Sequence, residues 1–162
     1  MIMHAALPAR GFTLIELAVT VAIVGLLASI AVPTAEIVVQ RNQEQELRQT
    51  LREIRRALDA YKQAVDEGRV VGKVGESGYP PNLKVLVDGV EDMRSPDKNK
   101  IYFLRRIPRD PLDSETDRQP EETWGLRSYA SEPDDPAEGA DVFDVYTRSA
   151  GIGLNGVPYK QW

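Results

Sequence analysis

The sequence predicts an α+β fold in which one long N-terminal helix packs, through its second half, on a small antiparallel sheet. Three observations lead there. The aliphatic residues crowd into the first forty positions, although the chain overall is polar. From Glu44 onward the pattern becomes amphipathic with a helical period, and beyond residue 78 it breaks into short apolar runs separated by proline and glycine.

The first element begins after a short stretch, Met1 to Arg10, in which His4 and Arg10 are the notable polar residues; Arg10 is the only Lys or Arg before residue 41. From Phe12 to Val39 the only formal charges are Glu16 and Glu36. An apolar run of about twenty residues is the length a bilayer-spanning helix needs. Between Leu17 and Val32 apolar residues cover every face, which suits lipid or a bundle interior better than the surface of a small domain. An ordinary secretory signal is a poorer reading. Ala28-Ser29-Ile30-Ala31 mimics a cleavage site, but Glu16 interrupts the apolar region such a signal requires. A carboxylate in a bilayer costs on the order of 2.5–3.5 kcal/mol on insertion scales, so Glu16 calls for a partner. Arg10 favours a cytoplasmic N-terminal flank. Pro33 removes a helix donor and crowds the preceding turn, which is compatible with a kink, with local melting on packing or with a tolerated membrane-helix proline.

The second half carries Leu47, Leu51, Ile54, Leu58, Tyr61 and Val65 at alternating spacings of four and three, one buried stripe on a continued helix. A coiled coil would show the same stripe but usually runs longer, so packing on a sheet of the same chain is the favoured reading. Gly68 and the stretch from Gly72 to Gly78 end the helix. Tyr79-Pro80-Pro81-Asn82-Leu83 then reads as a turn opening a short helix, with Asn82 as its cap and Asp88-Gly89 as its stop. The two prolines of Ile107-Pro108-Arg109-Asp110-Pro111 argue against regular structure. Leu126 to Ala130 and Val142 to Thr147 read as strands.

Composition narrows the function. The formal charge is −5, and the basic pairs Arg55-Arg56 and Arg105-Arg106 are flanked by acids, so nucleic acid is not an expected partner. The chain has no cysteine, hence no disulfide and no thiolate nucleophile or ligand. Its single histidine is His4, no serine sits in a nucleophile elbow, and Gly151-Ile152-Gly153-Leu154-Asn155-Gly156 has no helix after it to make a phosphate loop. An enzyme is not expected.

The string Gly11-Phe12-Thr13-Leu14-Ile15-Glu16, followed by Pro33 inside the apolar helix, resembles the class III signal of type IV pilins and type II secretion pseudopilins. The resemblance implies a type IV pilin-like fold with a leader at 1–11, a transmembrane and polymerisation helix at 12–39, and a periplasmic head at 40–162. It implies that a prepilin peptidase cuts between Gly11 and Phe12 and methylates the Phe12 amine. That amine would pair with the Glu16 carboxylate of a neighbouring subunit and set the register of the bundle, so that Phe12, Glu16 and Pro33 carry assembly.

Further along, Gly78-Tyr79-Pro80-Pro81, Pro108-Arg109-Asp110-Pro111, Trp124-Gly125 and Asp141-Val142-Phe143-Asp144-Val145-Tyr146 resemble the head of the major pseudopilin of type II secretion. Two departures stand out. A polar insert from Leu112 to Thr123, expected as an exposed loop, separates Pro111 from Trp124, and the C-terminal loop Ser149 to Gly156 has Ile152 where the family expects an acid of a calcium site. Asp134, Asp135 and Asp141, on a proline-containing stretch, are the remaining candidate calcium ligands, since the ion wants six to eight oxygens including carboxylates.

By resemblance the chain is a structural subunit of a pseudopilus that drives protein export across the outer membrane. Its partners would be further copies of itself in a helical homopolymer, minor pseudopilins, the prepilin peptidase, an inner-membrane assembly platform, and membrane lipid before assembly. It would be a single-pass inner-membrane protein with its C-terminal head in the periplasm. A type IV pilin serving adhesion, motility or DNA uptake, and an anchored periplasmic binding domain that never polymerises, are the alternatives; the lack of a cysteine loop favours the pseudopilin.

Overall fold

The computed structural model describes residues 12–72 and 75–162, the side chains of 30–35 excepted. Gly11 and the rest of the expected leader, and the side chain of Pro33, therefore lie outside the described residues. The chain forms two compact units, Met1–Gln40 and Arg41–Trp162. A helix, α1, runs from Leu14 to Asp66, and the helical backbone continues past position 33.

In the first unit the aliphatic side chains from Phe12 to Leu27 stand in solvent, with Phe12 and Leu14 each 87% exposed. The hydroxyls in this apolar run are satisfied within the helix: Thr20 donates to the Leu17 carbonyl (2.9 Å) and Ser29 to that of Leu26 (2.7 Å). Among the described residues no helix is long and apolar enough to cross a membrane.

In the second unit α1 buries the expected stripe. Leu47, Ile54 and Leu58 are fully buried, and Leu51 and Tyr61 nearly so. Val65 is only half-buried, while Ala57 and Ala64, too small to stand out in the pattern, complete the face. The helix ends where Gly68 adopts φ +68°, its N–H returning to the Val65 carbonyl while Arg69 N–H reaches that of Ala64. This left-handed stop costs a residue without Cβ least.

The short helix α2 spans Lys84–Asp88 and its N-cap is Leu83, which makes no side-chain cap; Asn82, expected as the cap, lies one residue earlier, from where its carboxamide accepts the Val85 N–H (3.2 Å). Strands β1 (Val90–Glu91) and β2 (Lys100–Ile101) form an antiparallel pair that no periodic signal announced, because each is two residues long. Strands β3 (Trp124–Arg127) and β4 (Asp144–Thr147) form a second antiparallel pair in the register Trp124↔Thr147 to Arg127↔Asp144. Both are displaced from expectation. The first begins two residues earlier and stops at Arg127, because the Tyr129 N–H that would extend a ladder is taken by the Asp141 carboxylate (2.9 Å). The second loses its start because Val142 N–H bonds the Pro80 carbonyl (2.8 Å). Val145 and Thr147 point into the core with Trp124, and Gly125 lies under the Tyr146 ring, where a methyl would meet ring carbons at 2.4 Å.

The insert is only partly the expected open loop. Positions 114–117 are exposed, but the Arg109 guanidinium donates to the Arg118 carbonyl (2.6 Å) and to that of Glu115, and Thr123 is fully buried at the end of a 3-10 turn, Pro120–Thr123.

Candidate functional site

The N-terminus of α1 is built by two residues three apart. Thr13 N–H and hydroxyl donate to Glu16 Oε2 (3.2 and 3.3 Å), and Glu16 N–H donates to Thr13 Oγ1 (3.3 Å). This reciprocal pair is a capping box, and it satisfies two of the amide donors that a helix start leaves open. The carboxylate also lies at the positive end of the helix dipole. Thr13 is a residue the sequence reading passed over, although Thr-x-x-Glu before an apolar run is the signature of such a box. Among the described residues Glu16 forms no ion pair; its hydrogen bonds go to Thr13. It heads a helix whose exposed side chains, from Leu14 through Leu27, are almost all apolar.

The structure does not bring Asp134, Asp135 and Asp141 together as ligands. Asp134 and Asp135 are exposed, and among the described residues no group of three acids or histidines is placed to hold a metal ion. Asp141 instead organises the head. Its carboxylate accepts from the hydroxyls of Ser77 and Ser128 and from Tyr129 N–H, and so joins the segment after α1 to the loop after β3. Burial pushes its carboxyl upward, but these three hydrogen bonds outweigh burial and hold it below the usual carboxylate range. An open groove of about 780 Å³ runs beside it, with Tyr61, Tyr79 and Tyr129 on its walls. Both serine hydroxyls there donate to Asp141, an arrangement that clamps the two loops together.

Asp110 holds the other end of the head. It is buried (3% exposed), accepts from the Thr147 hydroxyl and from Leu112 N–H (2.9 Å), and its own N–H donates to Thr123 Oγ1 (3.1 Å). Burial raises its carboxyl above the usual range, with the hydrogen bonds opposing. Trp124 Nε1 donates to the Pro108 carbonyl (2.8 Å), so the proline segment and the strand it precedes are bound together across the insert. The sequence supplied both pieces without showing that they meet.

Arg55, one of the basic pair flanked by acids, does not stand free on the surface. It is half-buried and donates to Asp144 (2.7 Å), and to the carbonyls of Val145 and Trp162 (3.3 and 2.7 Å). Arg105 and Arg106, by contrast, are exposed.

Comparison with known proteins agrees with the N-terminal geometry. The family described as the prokaryotic N-terminal methylation motif matches residues 8–32. Two curated relatives are each named type II secretion system core protein G. The protein from Klebsiella michiganensis is 29% identical over 106 residues, covering 63% of this chain and 67% of the relative. The protein from Dickeya chrysanthemi is 29% identical over 110 residues, 65% of each. The chain thus spans about two thirds of the length of these relatives. No solved structure matches it.

Proposed function

We propose that this chain, which carries the N-terminal methylation motif and is similar to core protein G of type II secretion, is a structural subunit of a pseudopilus. The observation that carries the reading is the start of α1, where one carboxylate with no cationic partner among the described residues heads a long, solvent-exposed apolar face. A single chain gains nothing from such a face in water, so it is a surface for lipid or for other helices.

The mechanism follows from charge and length. Before assembly the apolar half of α1 rests in the inner membrane, with Arg10 on the cytoplasmic side and the head in the periplasm. Cleavage after Gly11 turns Phe12 into a cationic terminus next to the capping box. In a bundle, the methylated Phe12 amine of one subunit pairs with Glu16 of another, and each charge removes the desolvation cost of the other. A slip of one turn separates them and leaves both uncompensated, so the pair fixes the axial register. Pro33 provides the place where the packed helix can adjust. The platform, the peptidase and the minor subunits are the partners this process needs, and the head forms the outer surface of the fibre.

Mass spectrometry of the mature protein from cells that contain the processing enzyme tests the reading. The expected N-terminus is Phe12 bearing one methyl group. A mature chain that retains Gly11, or that starts beyond Phe12, overturns it.

A further inference from the structure

The resemblance assigns the C-terminal loop, Ser149 to Gly156, to calcium, and the donor set here does not fit that ion. No carboxylate lies between Arg148 and Trp162, and Ile152, which stands where an acid would be expected, is 61% exposed. Several polar atoms of the loop are used within it or by the residues that follow it. Gly153 N–H donates to the Val157 carbonyl (2.9 Å), Gly156 N–H to that of Gly153 (2.8 Å), and Tyr159 N–H to that of Gly151 (3.1 Å). Asn155 Oδ1 accepts the Val157 N–H (3.1 Å), and Ser149 Oγ accepts that of Gly151 (3.3 Å). Calcium takes six to eight oxygens at about 2.3–2.6 Å, carboxylates among them.

What reaches the loop is a side chain of α1. Glu44 is buried (6% exposed), and its Oε1 accepts both the Leu154 N–H (2.7 Å) and the Tyr159 hydroxyl (3.0 Å). One turn on, the Arg48 guanidinium lies 4.1 Å from the Trp162 ring centroid, and two turns beyond that Arg55 holds the Trp162 carbonyl. Tyr159 and Trp162 meet edge to face at 5.0 Å, and Gly153 lies so close beneath the indole that a methyl there would stand 2.4 Å from it. We infer that Glu44 is a clasp that closes the C-terminal loop on the helix without metal, so that this head folds independently of calcium. The inference stands whether or not the chain polymerises.

Thermal unfolding and amide exchange of the full chain in detergent test it, with calcium chloride or the chelator EGTA as the probe. The wild-type midpoint is expected to be the same, within about 1 °C, in both. Glu44→Ala is expected to lower the midpoint by about 4 °C or more and to speed exchange of the Leu154 amide roughly tenfold, because the buried Tyr159 hydroxyl and the part-buried Leu154 N–H lose their acceptor. Tyr159→Phe keeps the core ring and removes one donor, so it guards against outright unfolding of the first variant; it is expected to lower the midpoint by less and to gain nothing from calcium. Calcium that raises the wild-type midpoint and slows exchange across 149–156 would overturn the inference. So would a folded Glu44→Ala protein with unchanged exchange at Leu154, or a Tyr159→Phe protein restored by calcium.

Discussion

Glu16 starts the helix as the acceptor of the Thr13 N–H. In the proposed assembly the same carboxylate, on an exposed apolar run, is also the charge that a neighbouring amine neutralises. The two separate experimentally, because glutamine serves in a capping box as glutamate does. With Glu16→Gln we expect the helix start to persist while subunit crosslinking in the membrane falls at least about tenfold, and Thr13→Ala, which breaks the box and keeps the charge, should retain crosslinking. Fibres that crosslink equally well with glutamine would show that the cap, and not the charge, is what assembly reads. Asp141, Asp110, Glu44 and Arg55 teach the complementary lesson. Each was visible as a charged residue, but apart from Leu112 beside Asp110 the partners that give it a role lie between 12 and 115 positions away along the chain. Nothing in local spacing reports that.

Among the elements, the helical stripe was the most legible, because a period of 3.6 residues repeated over several turns averages out individual exceptions. Leu58, fully buried in the core cluster, represents it. Leu58→Ala removes methyl groups from a packed interior and is expected to cost about 2–5 kcal/mol, read as a lower midpoint in thermal or urea unfolding of the full chain. A loss below about 1 kcal/mol would mean that this face is not a core. The strands were legible in kind but not in extent. β3 and β4 are each four residues long, and their ends are set by the Asp141 carboxylate and the Pro80 carbonyl, which compete for the same N–H groups that a ladder would use. The first strand pair, at two residues a side, falls below what alternation can reveal.

The molecule divides near Gln40, and among the described residues the core cluster, from Leu47 to Tyr159, belongs to the second unit. Residues 41–162 expressed alone are therefore expected to fold cooperatively, with an unfolding midpoint within about 4 °C of the full chain, and to stay in solution without detergent. A truncated protein with no near-UV circular dichroism or no cooperative transition would refute this division. The sequence by itself determined the long helix, the change from an all-round apolar half to a one-sided half, and the isolated acid at its start, because these are local patterns of residue type and spacing. Only the tertiary structure decided where the strands end, that the insert is pinned by Arg109, and that the C-terminal loop closes on Glu44. Those outcomes depend on which distant group captures a given amide or carbonyl. That competition is settled by packing in three dimensions and leaves no periodic trace along the chain.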